Sequence, residues 1–407
     1  MGNDRLIAAI DIGTTKICVL IAQQIDDHTV DIIGIGKAPS LGLARGVVVD
    51  IAPAVHSIKT ALKEAEMMAG CSVESAYIGV SGGHIHSFNS HGMVAIKQGE
   101  IRQFDIMHVI NAAKAVPLPE GQQLLHALPQ FFTIDNEHIV RDPLGMYGVR
   151  LEAQVHLITG SVGSVQNLVR CCEMAGVKVR DIILEPLASA DAVLSDDERE
   201  LGIGMLDIGG GTSDFAIYQQ GNIRYTKVFP IAGNIFTNDL AVCLRTTVKD
   251  AERVKKEYGI SDISLLTQNM PIEIEQVYGH DQQTVMLADV LQVLESRAEE
   301  LLHMLSVEIS KNKLQTFMHT GLVLTGGGSL LHGLTQQAEF ILNMPVRVGR
   351  PRVQLSFKNA LDNPMYATGY GLLIHSLKKN NSQMQVGSGP LSSRVFSRMK
   401  SWVMDLF

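Results

Sequence analysis

The chain has 407 residues, 46% hydrophobic and 19% charged, enough to bury more than one sizeable core and too apolar for disorder over most of its length. Its formal net charge of −8 argues against a protein built to coat nucleic acid, so no nucleic-acid partner is expected. No run approaches the roughly 18 consecutive apolar residues that a membrane-spanning helix needs, and Met1 to Arg5 lacks the pattern of a secretion signal, so the expected compartment is the cytosol.

Leu6 to Asp11 is short and apolar, Gly13-Thr14-Thr15 turns the chain, and Ile17 to Ala22 is apolar again, which predicts a buried hairpin. A third strand is expected over Val30 to Ile35, after a turn at Asp26-Asp27-His28. Ile51, Val55, Ile58, Leu62, Ala65 and Met68 recur at helical spacing between Asp50 and Ala69, and Gly70 stands where a C-cap glycine belongs. Ser75 to Val80 reads as a strand. From His84 to about Gly160, short strand-like pieces, a helix near Phe104 to Val116 and Pro117, Pro119, Pro129 and Pro143 predict a separate α+β insertion. A strand at Ala153 to Thr159 and a helix at Val162 to Ala175 follow.

The second half restarts the pattern. Ile10-Asp11-Ile12-Gly13-Thr14-Thr15 returns as Leu206-Asp207-Ile208-Gly209-Gly210-Gly211-Thr212, followed by a second strand at Phe215 to Tyr218. One such hairpin says little, but one at the start of each half predicts a duplicated lobe with pseudo-two-fold symmetry. Strands then reach Pro230, and helices are expected over Asn234 to Leu244, Asp250 to Tyr258 and Ala288 to Lys311. Leu322 to Leu324 is a buried strand ending in Thr325-Gly326-Gly327-Gly328-Ser329, and a last globular helix ends near Lys379. The fold class is therefore α/β. Its expected organisation is a first-lobe core at 1–83 and 160–194 with an inserted α+β subdomain at 84–159, and a second-lobe core at 195–239 and 306–379 with its own insertion at 240–305. Residues 380–391, rich in Asn, Ser, Gln and Gly, read as a flexible linker.

Beyond the linker, Val395, Met399, Trp402, Val403 and Leu406 line one face of a predicted helix over 392–407, flanked by Phe396 and Phe407. Arg394, Arg398 and Lys400 charge its more polar side. Such a helix suits the interface of an anionic lipid membrane, the other reading being a helix that packs on the body or on a partner.

A polyphosphate needs backbone N–H groups close to its oxygens, and glycine lets the main chain approach without a Cβ clash. Gly13, Thr14 and Thr15 supply one such turn, with Lys16 adding charge, and Gly209, Gly210, Gly211 and Thr212 supply another. Asp11 and Asp207 precede the turns, where a carboxylate can hold a hydrated Mg2+. Gly326, Gly327, Gly328 and Ser329 offer a backbone surface for a flat purine, and Glu252, Lys255 and Lys256 share a helix face that can flank ribose and base. Taken singly, each has a plainer reading as a tight hairpin or a salt-bridged surface. The matched pair of loops and acids decides for a nucleotide.

Three patterns lead elsewhere and fail. Gly79-Val80-Ser81-Gly82-Gly83 matches the serine-hydrolase elbow, which must enter a helix, yet His84 to Phe88 alternates like a strand. His84, His86 and His91 lack acid or thiol partners at ligand spacing, and Cys18, Cys71, Cys171, Cys172 and Cys243 lack zinc spacing and are expected as buried or half-buried free thiols. Gly34 and Gly36 lack the helix and third glycine of a dinucleotide fingerprint.

The segments Asp11 to Thr15, Asp207 to Asp214 and Leu324 to Ser329 together resemble the phosphate and adenosine motifs of the actin, hexokinase and heat-shock chaperone superfamily. Arg45 to Asp50, Ser81 to Ile85, Val149 to Thr159 and Asp197 to Gly202 are similar to the FtsA family of bacterial cell-division proteins, and this resemblance runs from Leu6 to Phe407. It implies an actin-like duplicated two-lobe fold with ribonuclease-H-like lobes around ATP and Mg2+. It further implies a chain that polymerises on the cytoplasmic side of the inner membrane at the division site, ties FtsZ filaments to it and recruits later division proteins. The FtsZ C-terminal tail would meet the insertion at 240–305, with Arg297 and Glu300 the residues to examine. Glu185 resembles the chaperones' acid beside the γ-phosphate, where Asp207 could assist; its other reading is a carboxylate at a helix start. Whether hydrolysis is weak or the nucleotide only switches polymerisation stays open. The alternative within the superfamily is a sugar-kinase-like phosphotransferase, for which no acceptor-activating base is visible and the terminal helix has little use.

Overall fold

The computed structural model describes residues 6–26, 29–97, 99–278, 282–353 and 357–385. The predicted membrane helix, with Val395, Phe396, Met399, Trp402, Val403, Leu406 and Phe407, lies outside the described residues, as do linker residues 386–391 and the turn residues Asp27 and His28. Among the described residues no helix is long and apolar enough to cross a membrane.

The chain opens on β1 (Leu6–Ile12), buried along nearly its whole length, as a strand apolar on both faces should be. It pairs antiparallel with β2 (Lys16–Gln24), which pairs with β3 (Val30–Pro39), a strand that continues past the expected end at Ile35. The short hairpin β4 (Leu43–Ala44) and β5 (Val47–Val48) leads into α1 (Ile51–Ala69). The Asp50 side chain accepts the Ala52 N–H at its start, and Gly70, left-handed at φ 66°, returns its N–H to Glu66 O. Helix α1 crosses β3 so closely that a Cβ on Gly36 would fall 1.9 Å from Ala61 O, and one on Gly34 2.5 Å from Ala65 O. Those two glycines serve helix–sheet packing. Strand β6 (Ser75–Val80) then runs parallel to β1.

Next come β7 (His86–Ala95), α2 (Gln103–Lys114), β8 (Gln122–Ile134), β9 (His138–Val140) and β10 (Arg150–Ser161). They make a four-stranded sheet in the order β7-β10-β8-β9, with α2 packed on it around a core of its own that includes Val109, Leu151 and Val155. Then α3 (Val162–Met174) and β11 (Lys178–Leu184) return to the first sheet, ordered β11-β6-β1-β2-β3, and α4 (Glu185–Val193) and α5 (Asp196–Leu201) lead onward.

The second half runs through β12 (Ile203–Ile208), β13 (Ser213–Gln219), β14 (Asn222–Phe229), α6 (Gly233–Cys243), α7 (Val248–Tyr258), β15 (Pro271–Glu275) and β16 (Gln282–Met286). It closes with α8 (Leu287–Lys311), β17 (Leu322–Thr325), α9 (Leu334–Leu342), β18 (Val346–Val348), α10 (Lys358–Leu361) and α11 (Ala367–Gln385). Its sheet, β14-β13-β12-β17-β18, repeats the plan of the first: an antiparallel three-strand meander whose first strand continues into two parallel neighbours. The duplication seen in two short motifs thus extends to whole sheets. Strand alternation divides the second sheet between two cores, with Leu206, Ile208, Phe215 and Ile217 facing one and Ile203, Met205, Ala216 and Tyr218 the other.

Three expectations need correction. Residues 367–379 are expected in the second-lobe core, yet Ala367, Tyr370, Leu372, Leu373 and Leu377 of α11 pack into the core built on the first sheet. An apolar stripe shows that a helix is buried, not which sheet buries it. The same helix continues through 380–385, inside the expected linker, because Asn, Ser and Gln are tolerated once a helix is nucleated and the next glycine is Gly387. Cys243, expected to be at least half-buried, is exposed at the last position of α6.

Candidate functional site

The two glycine hairpins close alike. Gly13 N–H donates to Lys16 O at 3.1 Å and Gly209 N–H to Thr212 O at 3.0 Å, each turn beginning two residues after its aspartate. Thr14 and Thr15 occupy the places that Gly210 and Gly211 occupy in the other half, and the loops meet reciprocally. A Cβ on Gly210 would lie 1.9 Å from Thr15 Oγ1, and one on Gly211 2.3 Å from Thr14 Oγ1. Such an exchange of contacts is what a two-fold axis between the hairpins demands. The glycines of the second loop leave the room that the threonines of the first one fill. Thr15 Oγ1 also donates to Asn234 Oδ1 at 3.1 Å, and Thr14 Oγ1 accepts the Gly46 N–H at 3.0 Å.

Both hairpins border one cavity of about 870 Å³. Its wall takes in Asp11, Gly13, Thr14, Thr15 and Lys16 from the first lobe and Asp207, Gly209, Gly210, Gly211 and Thr212 from the second. Gly326, Gly327 and Gly328 join them from the turn after β17, as do Glu252, Lys255 and Lys256 from α7 and Glu185 from the start of α4. Glu252 accepts from Lys255 at 2.6 Å and from Lys256 at 3.1 Å, while Lys255 also donates to Gly233 O at 2.9 Å, so this face braces α7 against α6. Ser329 is the exception among the predicted wall residues. It is buried behind the wall with its Oγ donating to Gly326 O at 2.7 Å, because the helical turn Gly327–Leu330 tucks it inward. Arg297 and Glu300 lie outside the cavity wall on α8, where Arg297 bonds Glu300 and reaches Asp239 of α6 at 2.5 Å.

The wall carries a surplus of buried negative charge. Asp207 and Asp214 face each other across the β12–β13 ladder, the arrangement in which like charges repel most strongly on a sheet. Burial, opposed by the Ser189 hydroxyl and reinforced by Asp11, pushes Asp207 up to about 6. Burial, opposed by Ser81 and reinforced by Asp207, pushes Asp214 up to about 7. For Glu185, burial and then the charges of Asp11, Asp214 and Asp207 hold the carboxyl well above its usual range. Burial also raises Asp11, against the pull of Lys16, whose Nζ lies 3.6 Å away and donates to Met365 O at 2.6 Å. Among the described residues no three His, Cys, Asp or Glu side chains converge on a point that could hold a metal directly. Separated carboxylates of this kind suit a divalent ion that keeps its water shell and takes only one or two protein oxygens.

Asp214 titrates near 7 in the fold and near 3.8 in an unfolded chain, so the folded protein holds a proton that unfolding releases. This contribution is full below the ordinary carboxylate range and is lost as pH rises through 7. Asp214→Asn should therefore stabilise the ligand-free protein at both pH 8 and pH 5.5, by on the order of 2 kcal/mol more at pH 8 than at pH 5.5, as read by thermal unfolding at each. Burial holds His156 down at about 4, so its own contribution fades in acid, and comparing variant with parent at each pH cancels it.

Sequence reasoning passed over Ser81, Ser189, Asp214, Asn234 and Thr368. The hydrolase pattern around Ser81 does run into strand β7, as expected, but Ser81 Oγ donates to Asp214 at 2.7 Å and borders the cavity. Asp214 was readable, since a hairpin closed at Gly209 and Thr212 sets it opposite Asp207. The others arrive from distant segments with no local signal.

A sequence model described as cell division protein FtsA matches residues 204–371, and one described as the SHS2 domain inserted in FTSA matches residues 82–159. The chain is 42% identical over 412 residues to cell division protein FtsA of Pseudomonas aeruginosa, covering 100% of this chain and 99% of that protein. It is 36% identical over 409 residues to cell division protein FtsA of Escherichia coli K12, covering 99% and 96%. Among solved structures, the PilM-PilN type IV pilus biogenesis complex matches with a TM-score of 0.67 at 17% identity, over 91% of this chain and 98% of that one. MreB5 of Spiroplasma citri bound to ADP matches with a TM-score of 0.55 at 17% identity, over 93% and 98%. At such identities these two structures speak for the fold alone, which is the actin-like one.

Proposed function

The chain belongs to the family of cell division protein FtsA, and from that premise we propose that it is an ATP-binding adaptor that polymerises beneath the cell inner membrane and ties FtsZ filaments to it. The observation that carries the nucleotide half is the reciprocal meeting of the two hairpins beside one cavity. Backbone N–H groups of Gly13 to Thr15 and Gly209 to Thr212 would take the phosphates from the two sides, with Lys16 adding positive charge. Asp11 and Asp207 would hold Mg2+ through water, and the ion would neutralise charge shared between carboxylates and phosphates. Glu185 stands among the acids where it could orient a water. Glu252, Lys255 and Lys256 would flank ribose and base over Gly326, Gly327 and Gly328. MreB5, which shares this fold, was solved with ADP bound.

The membrane half rests on the sequence of residues 392–407. A single amphipathic helix binds reversibly, so a filament presenting many would gain avidity. Self-association, the FtsZ C-terminal tail near Arg297 and Glu300, and later division proteins complete the proposal. It is tested by pelleting with anionic vesicles. The full chain is expected in the pellet, with binding weakened by salt through Arg394, Arg398 and Lys400. The chain cut after residue 391 is expected in the supernatant at the lipid-free level. Equal recovery of both proteins would overturn the membrane role.

A further inference from the structure

Asp207 belongs to the second sheet, yet its side chain is held by two helices packed onto the first. Strand alternation turns it to the face of Ile203 and Met205, away from Leu206 and Ile208. Helices α4 and α11 lie on that face, and each brings a hydroxyl. Ser189 Oγ donates to Asp207 Oδ2 at 2.5 Å. Thr368 Oγ1 lies 3.2 Å from the same oxygen and 3.0 Å from Ser189 Oγ. All three residues are buried, so none of these bonds competes with bulk water. Among the described residues no donor reaches Asp207 Oδ1, which lies 2.2 Å from where a Gly326 Cβ would stand.

The two helices have little freedom to slide. Beside Ser189, the carbonyl oxygen of Ala188 would be 1.8 Å from a Cβ on Gly371, one turn beyond Thr368, so the backbones touch where the hydroxyls sit. Further along, Asp191 of α4 accepts from His375 and Lys378 of α11, each at 2.7 Å. One carboxylate oxygen is therefore clamped and the other is left without a protein donor.

We propose that Ser189 and Thr368 are positioning residues that fix the Asp207 carboxylate for the divalent cation, so that the cation-dependent part of ATP binding depends on the α4–α11 pair. This rests on the nucleotide reading above. A purely structural pair would satisfy a buried carboxylate and affect folding alone. A positioning pair separates binding with the metal from binding without it.

The experiment titrates ATP into the full-length protein and into Thr368→Val, Ser189→Ala and Thr368→Ser, in excess Mg2+ and again in EDTA, with thermal unfolding as the folding control. Loss of one hydrogen bond to a charged group predicts that Kd in Mg2+ rises about tenfold for Thr368→Val and Ser189→Ala, while Kd in EDTA changes less than about twofold. Thr368→Ser keeps the hydroxyl and should match the parent. An unchanged Kd in Mg2+, or an equal loss in both media, overturns the proposal. Thr368→Ser behaving like Thr368→Val overturns it too, and covers the case in which Ser189→Ala fails to fold. A parent protein that binds no ATP in either medium would instead remove the nucleotide reading on which the proposal stands.

Discussion

The Gly371→Ala protein is expected to lose about 3 kcal/mol or more of stability and to accumulate in the insoluble fraction. The added Cβ would stand 1.8 Å from Ala188 O and 2.3 Å from Ala188 C. Both atoms are backbone of α4, so no rotamer change relieves the overlap, and the helices must separate. That separation would withdraw Leu372, Leu373 and Leu377 from the first-lobe core and Thr368 from Asp207. Gly163→Ala provides the contrast. Gly163 sits in α3 with nothing within 4 Å of its would-be Cβ, so alanine there should leave stability equal or raise it by about 0.5–1 kcal/mol. Thermal and denaturant unfolding of the two variants separates steric overlap from a general intolerance of substitution. Similar curves for both would show that the α4–α11 crossing can yield.

Gly210→Val and Gly211→Val should lower ATP affinity by about 100-fold, close to 3 kcal/mol, at little expense in global stability. Each side chain would enter space already held by Thr15 or Thr14, and Gly211 also has the Arg45 Cα 3.0 Å from its would-be Cβ. The hairpins would be forced apart at the point where they meet. Gly210 and Gly211 lie in the turn, outside both hydrophobic cores, which is why the effect belongs to the cleft and not to folding.

How legible this was depended on range. Apolar runs and glycine turns gave both hairpins, α1 with its Gly70 cap, and the matching positions of Asp11 and Asp207, because each of those signals spans only a few residues. The whole-sheet duplication followed from one motif of six residues and one of seven, since a hairpin register once set carries its strands with it. What escaped was set by contacts between distant segments. The placement of α11 on the first sheet, the Thr15–Asn234 and Ser81–Asp214 bonds, and the clamp on Asp207 join residues more than 130 positions apart in most cases, and no periodicity encodes them. Ser329 was misplaced for the opposite reason. A triple glycine predicts backbone that can approach a ligand, but not that the turn after it folds the next side chain inward.

The central claim is that one hairpin from each half of the molecule serves a single nucleotide. Calorimetric titration of ATP with Mg2+ into the full-length chain, Gly210→Val and Gly211→Val tests it most directly. The account predicts one ATP per chain for the parent and a Kd about 100-fold higher for both variants, with their unfolding midpoints retained. A parent that binds no ATP, or a variant that binds it as tightly as the parent, would contradict it.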